Sequence, residues 1–124
     1  MSVFTDLVEV GRVLRVEFVE PWNMGEFIAT FPSARAHFDQ VNHQVHALVV
    51  MSGITRDPNG VLRFREHPSF SHPRAGYTVF VGADRRARLI VETGLRLIGF
   101  RRYEFHPTEV EGRESLRRRI QDEQ

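Results

Sequence analysis

The sequence predicts an α/β domain, on three observations. Apolar, β-branched runs at Val13–Val19, Val45–Met51 and Tyr77–Val81 are too short for buried helices and long enough for strands. Between and after them lie stretches with apolar residues at spacings of three and four, the signature of helices covering a sheet. Strands that alternate with helices give right-handed crossovers and a largely parallel sheet.

Each element has its own justification. Phe4, Leu7, Val8 and Val10 form a first strand, turning at Gly11 into a second at Val13–Val19. Trp22, Met24, Phe27, Ile28, Phe31, Ala34, Phe38 and Val41 then mark one face of a helix. Pro32 falls inside that pattern and should kink or divide it. Val45–Met51 is the third strand. A short helix is expected from Val61 to about Phe64, limited by Pro68 and Pro73. Tyr77–Gly82 is the fourth strand. Asp84 caps a helix whose buried side takes in Ala87, Ile90, Val91, Gly94, Leu95 and Ile98. Arg102–Phe105 is a short fifth strand. Thr108-Glu109-Val110-Glu111 fits a capping box, and Arg117, Arg118 and Arg119 complement the far end of the last helix.

The order ββαβαβαβα makes one domain over residues 1–124, with four or five strands in a mixed, mostly parallel sheet. Val45–Met51 and Thr78–Val81 should be buried parallel neighbours. A chain of 124 residues, 41% hydrophobic and 27% charged, buries enough surface to fold without disulfide or metal. It has no cysteine, hence no thiolate nucleophile and no cysteine zinc site. The first residues lack a basic-then-apolar leader and no run has the length of a membrane span, so a cytoplasmic location without membrane contact is expected.

All 17 basic residues are arginine. Arginine suits bidentate binding of carboxylate or phosphate, but a G+C-rich genome accounts for the bias better. The net charge of +1 supplies no field for nucleic acid, and none is expected as a partner. Three successive arginines at 117–119 spread round a helix and cannot form one binding face.

Catalytic and metal chemistry find little footing. His43/His46 and His67/His72 invite a metal reading, but a site needs three or four convergent ligands, and surface loop histidines are the expectation. Ser52, Ser69 and Ser71 have no nucleophile-elbow pattern and no tied histidine. Asp57 with Glu66 is as good an acid/base pair as any two of 16 carboxylates. At Gly82–Arg86, Asp84 would occupy the helix amides that a phosphate needs. The expectation is a non-enzymatic protein without metal or cofactor. Phe64 and Phe70 flank a segment that is either a partner-binding edge or a loop folding its own rings onto the domain.

The segment Ala47–Leu62, ALVVMSGITRDPNGVL, carries the most specific signal. A buried strand is followed by Ser52-Gly53-Ile54-Thr55 and then Asp57-Pro58-Asn59-Gly60-Val61. It resembles the signature of STAS domains, the fold of the anti-sigma factor antagonists, in which a Leu-Ser-Gly-Val-like step runs into Asp-Ser-Ser-Gly-Leu. The whole element order agrees with that family. The resemblance implies a bacterial regulatory module that meets an anti-sigma-factor kinase, or another regulator, through Ser52, Gly53, Asp57, Asn59, Gly60 and Val61. The family's phosphorylated Ser or Thr follows the Asp, and here that residue is Pro58, so the usual switch is lost. A homo-oligomer is compatible with the sequence. The alternative is a small-molecule or lipid-binding module with an apolar pocket under the aromatic helix.

Overall fold

A computed structural model describes residues 3–51 and 64–123. The partner-contact residues expected from the resemblance (Ser52, Gly53, Asp57, Asn59, Gly60 and Val61) lie outside the described residues, as do Val61–Arg63 of the expected second helix.

Five strands form one sheet: β1 (Val3–Val8), β2 (Val13–Phe18), β3 (Val45–Met51), β4 (Ala75–Val81) and β5 (Tyr103–His106). They lie side by side in chain order, β1 antiparallel to β2 and every later pair parallel. β3 is central, and it pairs with β4 at Val45↔Ala75 and, after a register shift, from Ala47↔Thr78 to Val50↔Val81, as the two apolar runs predict.

The helices are α1 (Met24–Ile28), α2 (Phe31–Gln40), α3 (Pro68–Ser71), α4 (Arg85–Leu97) and α5 (Glu109–Glu123). Successive crossovers of one hand, each stepping one strand further, keep their helices on a single face. Phe27, Phe31, Ala34 and Phe38 of α1 and α2, with Ala87, Val91 and Leu95 of α4, therefore pack on Leu14, Val16, Phe18, Val49 and Phe80. The other face is left for α5, where Leu116 and Ile120 meet Val13, Leu48, Val79 and Val81. The period of two in each strand divides these sets. Gly112 brings α5 down onto the sheet: a Cβ there would lie 2.6 Å from Val81 Cγ1 and 3.0 Å from Val79 Cγ1.

Several boundaries differ from the sequence expectation. The aromatic helix is divided as Pro32 predicts, but the break falls at Ala29-Thr30, and Pro32 sits in the first turn of α2. A proline there has no N–H to donate to the carbonyl four residues back, and its ring crowds that carbonyl. Pro68 begins α3 instead of ending a helix, with His67 as N-cap, because a first helical residue needs no N–H. Val10 belongs to the β1–β2 turn, at φ 56°, and not to the strand. In α4, Ala87, Val91, Gly94 and Leu95 are buried, while Ile90 and Ile98 are only half-buried. The final turn of α5 holds no basic residue; Arg117–Arg119 lie before it. Among the described residues no helix is long and apolar enough to cross a membrane.

Candidate functional site

The segment 52–63 joins two buried anchors. Met51 closes the central strand, and Phe64 is sunk among Phe18 and Phe27, its ring stacked on Phe18 at 6.1 Å. Met51 and Phe18 end β3 and β2 at their carboxyl ends, so Phe64 packs beside that end of the sheet.

Beside Phe64 lies a cavity of about 20 Å³, lined by Phe18, Phe27, Phe64, Phe70, His67 and Ser69 among others. Phe64, His67 and Phe70 recur every third residue, so the turn from 64 to 66 and the following α3 bring all three inward. The His67 ring stacks on Phe27 with centroids 5.5 Å apart and takes Phe31 edge-on at 5.1 Å. Of the two readings of this segment, the structure favours the loop that folds its own rings onto the domain, since Phe64 is buried and Phe70 packs against the core.

His67 is only 3% exposed, which corrects the expectation of a surface histidine. Its Nδ1 accepts the Ser69 backbone N–H at 3.0 Å, so the neutral ring carries its proton on Nε2. Among the described residues that Nε2–H has no hydrogen-bond partner, and neither does the Ser69 hydroxyl. Burial, then the nearby Arg35 charge, holds the ring well below the usual imidazole range, at about 4, so it is neutral at physiological pH. The site thus presents one fixed donor and one hydroxyl inside an aromatic wall. It has room for one water or a single small oxygen-bearing group. With Nδ1 engaged and Nε2 protonated, the His67 ring has no free lone pair with which to act as a base.

The second buried histidine, His46, is on the opposite face and corrects the same expectation. It is 1% exposed; Nδ1 accepts from the Tyr77 backbone N–H at 2.9 Å and Nε2 meets Glu123 Oε1 at 2.8 Å. Strict alternation in a strand covered on both faces is the signal that could have found it. His43 is half-buried and bonds the Gln44 carbonyl. His72 also departs from the surface expectation: its ring packs against Phe38 with centroids 5.3 Å apart, its side chain is 6% exposed, and it meets the exposed Asp39 carboxylate at 2.7 Å. Among the described residues no three metal-ligating side chains come together.

The arginines at 117–119 diverge as their spacing predicts, but they are not simply solvated. Arg117 and Arg113 both bond Glu9 of the β1–β2 turn, at 2.9 and 3.0 Å. Arg119 lies over the Tyr77 ring and bonds Glu104, which also accepts from Ser115 at 2.8 Å and His106 at 3.0 Å. Arg15 holds Glu109 through two hydrogen bonds. These pairs fasten α5 to the sheet.

No family model matches the chain, and no curated protein or solved structure is significantly similar to it.

Proposed function

We propose that the chain is a non-enzymatic bacterial regulatory module, STAS-like, that works by protein contact through Ser52, Gly53, Asp57, Asn59, Gly60 and Val61. The observation that carries this reading is that the described residues flanking the signature, Met51 at the carboxyl end of the central strand β3 and the buried Phe64, both belong to the core. The agreement of element order adds support. The partner class is an anti-sigma-factor-like ATPase or another regulator, in the cytoplasm. Pro58 offers no hydroxyl to a kinase, so contact is constitutive or governed by another input.

The test is titration calorimetry against an ATPase-type anti-sigma factor, with and without ATP. Binding that ATP does not abolish, and that Asn59→Trp weakens at least tenfold, supports the proposal. Intact-mass spectrometry after co-incubation should show no added phosphate. A phosphate on Ser52 or Thr55 that lowers affinity would mean that the switch has moved, and absence of binding to this ATPase class would remove the partner assignment.

A second reading, a small-molecule site, has one observation in its favour: the Nε2–H of His67, without a partner among the described residues, beside the Ser69 hydroxyl in an aromatic cavity. A buried donor without an acceptor costs about 1–3 kcal/mol, which an oxygen-bearing guest would recover. Short alcohols should raise the melting temperature more than alkanes of equal length, and His67→Phe should erase the difference. Equal shifts from alcohols and alkanes would leave the cavity a packing defect.

A further inference from the structure

The charge of this chain is unevenly placed. Between residues 85 and 102 stand six arginines and one acid, Glu92, while fifteen of the sixteen acids lie elsewhere. All six arginines are exposed. Arg88 and Arg96 reach along α4 to the shared Glu92, at 2.9 and 3.9 Å. With Arg101 they line an open groove of about 500 Å³ between α4 and β5, floored by Phe100, Tyr103 and Phe105; Glu92 and Glu104, the carboxylates in its lining, are engaged by Arg88 and by Arg119. The Arg88 guanidinium rests 4.8 Å above the Phe105 ring, which orients it without neutralising it.

β5 is the last strand of the sheet. The Arg102 and His106 carbonyls bond back to β4, through the N–H groups of Thr78 and Gly82. In a parallel ladder alternate residues bond one neighbour, so Tyr103 and Phe105 turn their N–H and C=O groups outward. Among the described residues no strand pairs with this edge, and such an edge is a template for another strand. The side chains of an added strand would alternate in environment. Every second one would face α4 and its arginines. The others would face the side of the sheet where Glu104 and α5 lie, and where further acids are unfavourable.

We infer that the groove between α4 and β5 takes an extended acidic segment of a partner protein, added to the edge of β5, with carboxylates at alternate positions meeting Arg88, Arg96 and Arg101. The assignment of this surface does not depend on the STAS resemblance. Main-chain pairing to Tyr103 and Phe105 supplies affinity and the arginines supply selection, which is the division of labour in strand addition. A duplex or a lipid surface would use the same charges without the open edge, and the edge is what favours a peptide.

The experiment uses the full chain, ¹⁵N-labelled, and an acidic peptide of four Glu-Val repeats as probe. Saturable shifts of the Tyr103 and Phe105 amides, weakened by salt, are expected. Arg96→Glu with Arg101→Glu should lower affinity at least tenfold and confer binding of the Lys-Val counterpart. Both residues are exposed, so the fold is spared, and unchanged amide signals in β2 and β3 verify this. A peptide N-methylated at alternate residues keeps its charge but cannot pair, and should not bind. Equal binding of that peptide, shifts centred on β1, or no shift at all would overturn the inference. So would tighter binding of duplex DNA or phosphatidylserine vesicles through the same arginines.

Discussion

The imidazole of His46 occupies the space that a side chain at position 76 would need. A Cβ on Gly76 would lie 2.3 Å from His46 Nδ1 and 2.5 Å from Cε1. The β3–β4 register shifts between Val45 and Ala47, which sets the ring against the backbone of β4, where the Tyr77 N–H reaches Nδ1. From there Nε2 reaches Glu123 on α5. One histidine thereby joins the central strand, its neighbour and the terminal helix.

Gly76→Ala should therefore destabilise the domain by about 3 kcal/mol, an overpacking cost combined with loss of the buried hydrogen bonds. Adding His46→Ala should recover part of it, because the second change vacates the space. A double-mutant cycle in urea measures the coupling. Additive effects would show that the ring and the glycine are independent.

Acid should unfold the protein through its histidines before its carboxylates. Burial, then the Arg35 charge, lowers His67 to about 4. Its folded pKa lies below the unfolded value of about 6.5, so the unfolded chain binds more protons in that window and stability falls as pH drops. The loss from His67 alone is about 3 kcal/mol by pH 4. Burial also lowers His46, although Glu123 opposes it, so His46 acts in the same direction. Stability measured from pH 7.5 to 4 should decline, and His67→Phe should flatten the curve. An unchanged slope in that variant would place the acid sensitivity elsewhere.

The sheet was legible because its strands are continuous apolar runs, and a fully covered strand such as Val45–Met51 admits little else. Helix ends were less legible. Pro68 reads equally as the stop of one helix and the first residue of another, and His67 as its cap decides only in three dimensions. The buried histidines were missed for a related reason. Polar residues are usually exposed, and what reverses that here is a partner distant in sequence: Glu123 for His46, and the rings of Phe27 and Phe31 for His67. Likewise Arg119 has the same sequence context as Arg118, and only the packing of α5 on Tyr77 separates them. The six arginines of residues 85–102 were diluted in a net charge of +1, which is blind to placement.

The aromatic face of α1 and α2 should be the most sensitive part of the core. Phe38 is fully buried, Phe27 nearly so, and Phe31 slightly less. Each change to alanine should cost about 3–5 kcal/mol, with Phe38→Ala at the upper end. Chemical denaturation gives the values. A cost for Phe38→Ala below that of Phe31→Ala would mean that α2 closes over the space it leaves.

α5 should depend on Glu104 more than its two large buried apolar side chains, Leu116 and Ile120, suggest. Burial alone would raise the Glu104 carboxyl. The hydrogen bonds from Arg119, His106 and Ser115 outweigh it and hold the group at about 2. The folded pKa is thus below the unfolded one. Its stabilisation is complete above the unfolded value and is lost only as pH falls through the carboxylate range, below the histidine window. Glu104→Gln keeps the shape but removes the charge that Arg119 faces. Hydrogen bonds to a charged group contribute about 1.5–3 kcal/mol, and a loss near the lower end is expected for a group still reached by solvent. Hydrogen exchange should locate that loss: amides of α5 should exchange faster while those of α2 and α4 keep their protection. A uniform rise across all helices would mean that α5 does not open separately from the rest of the domain.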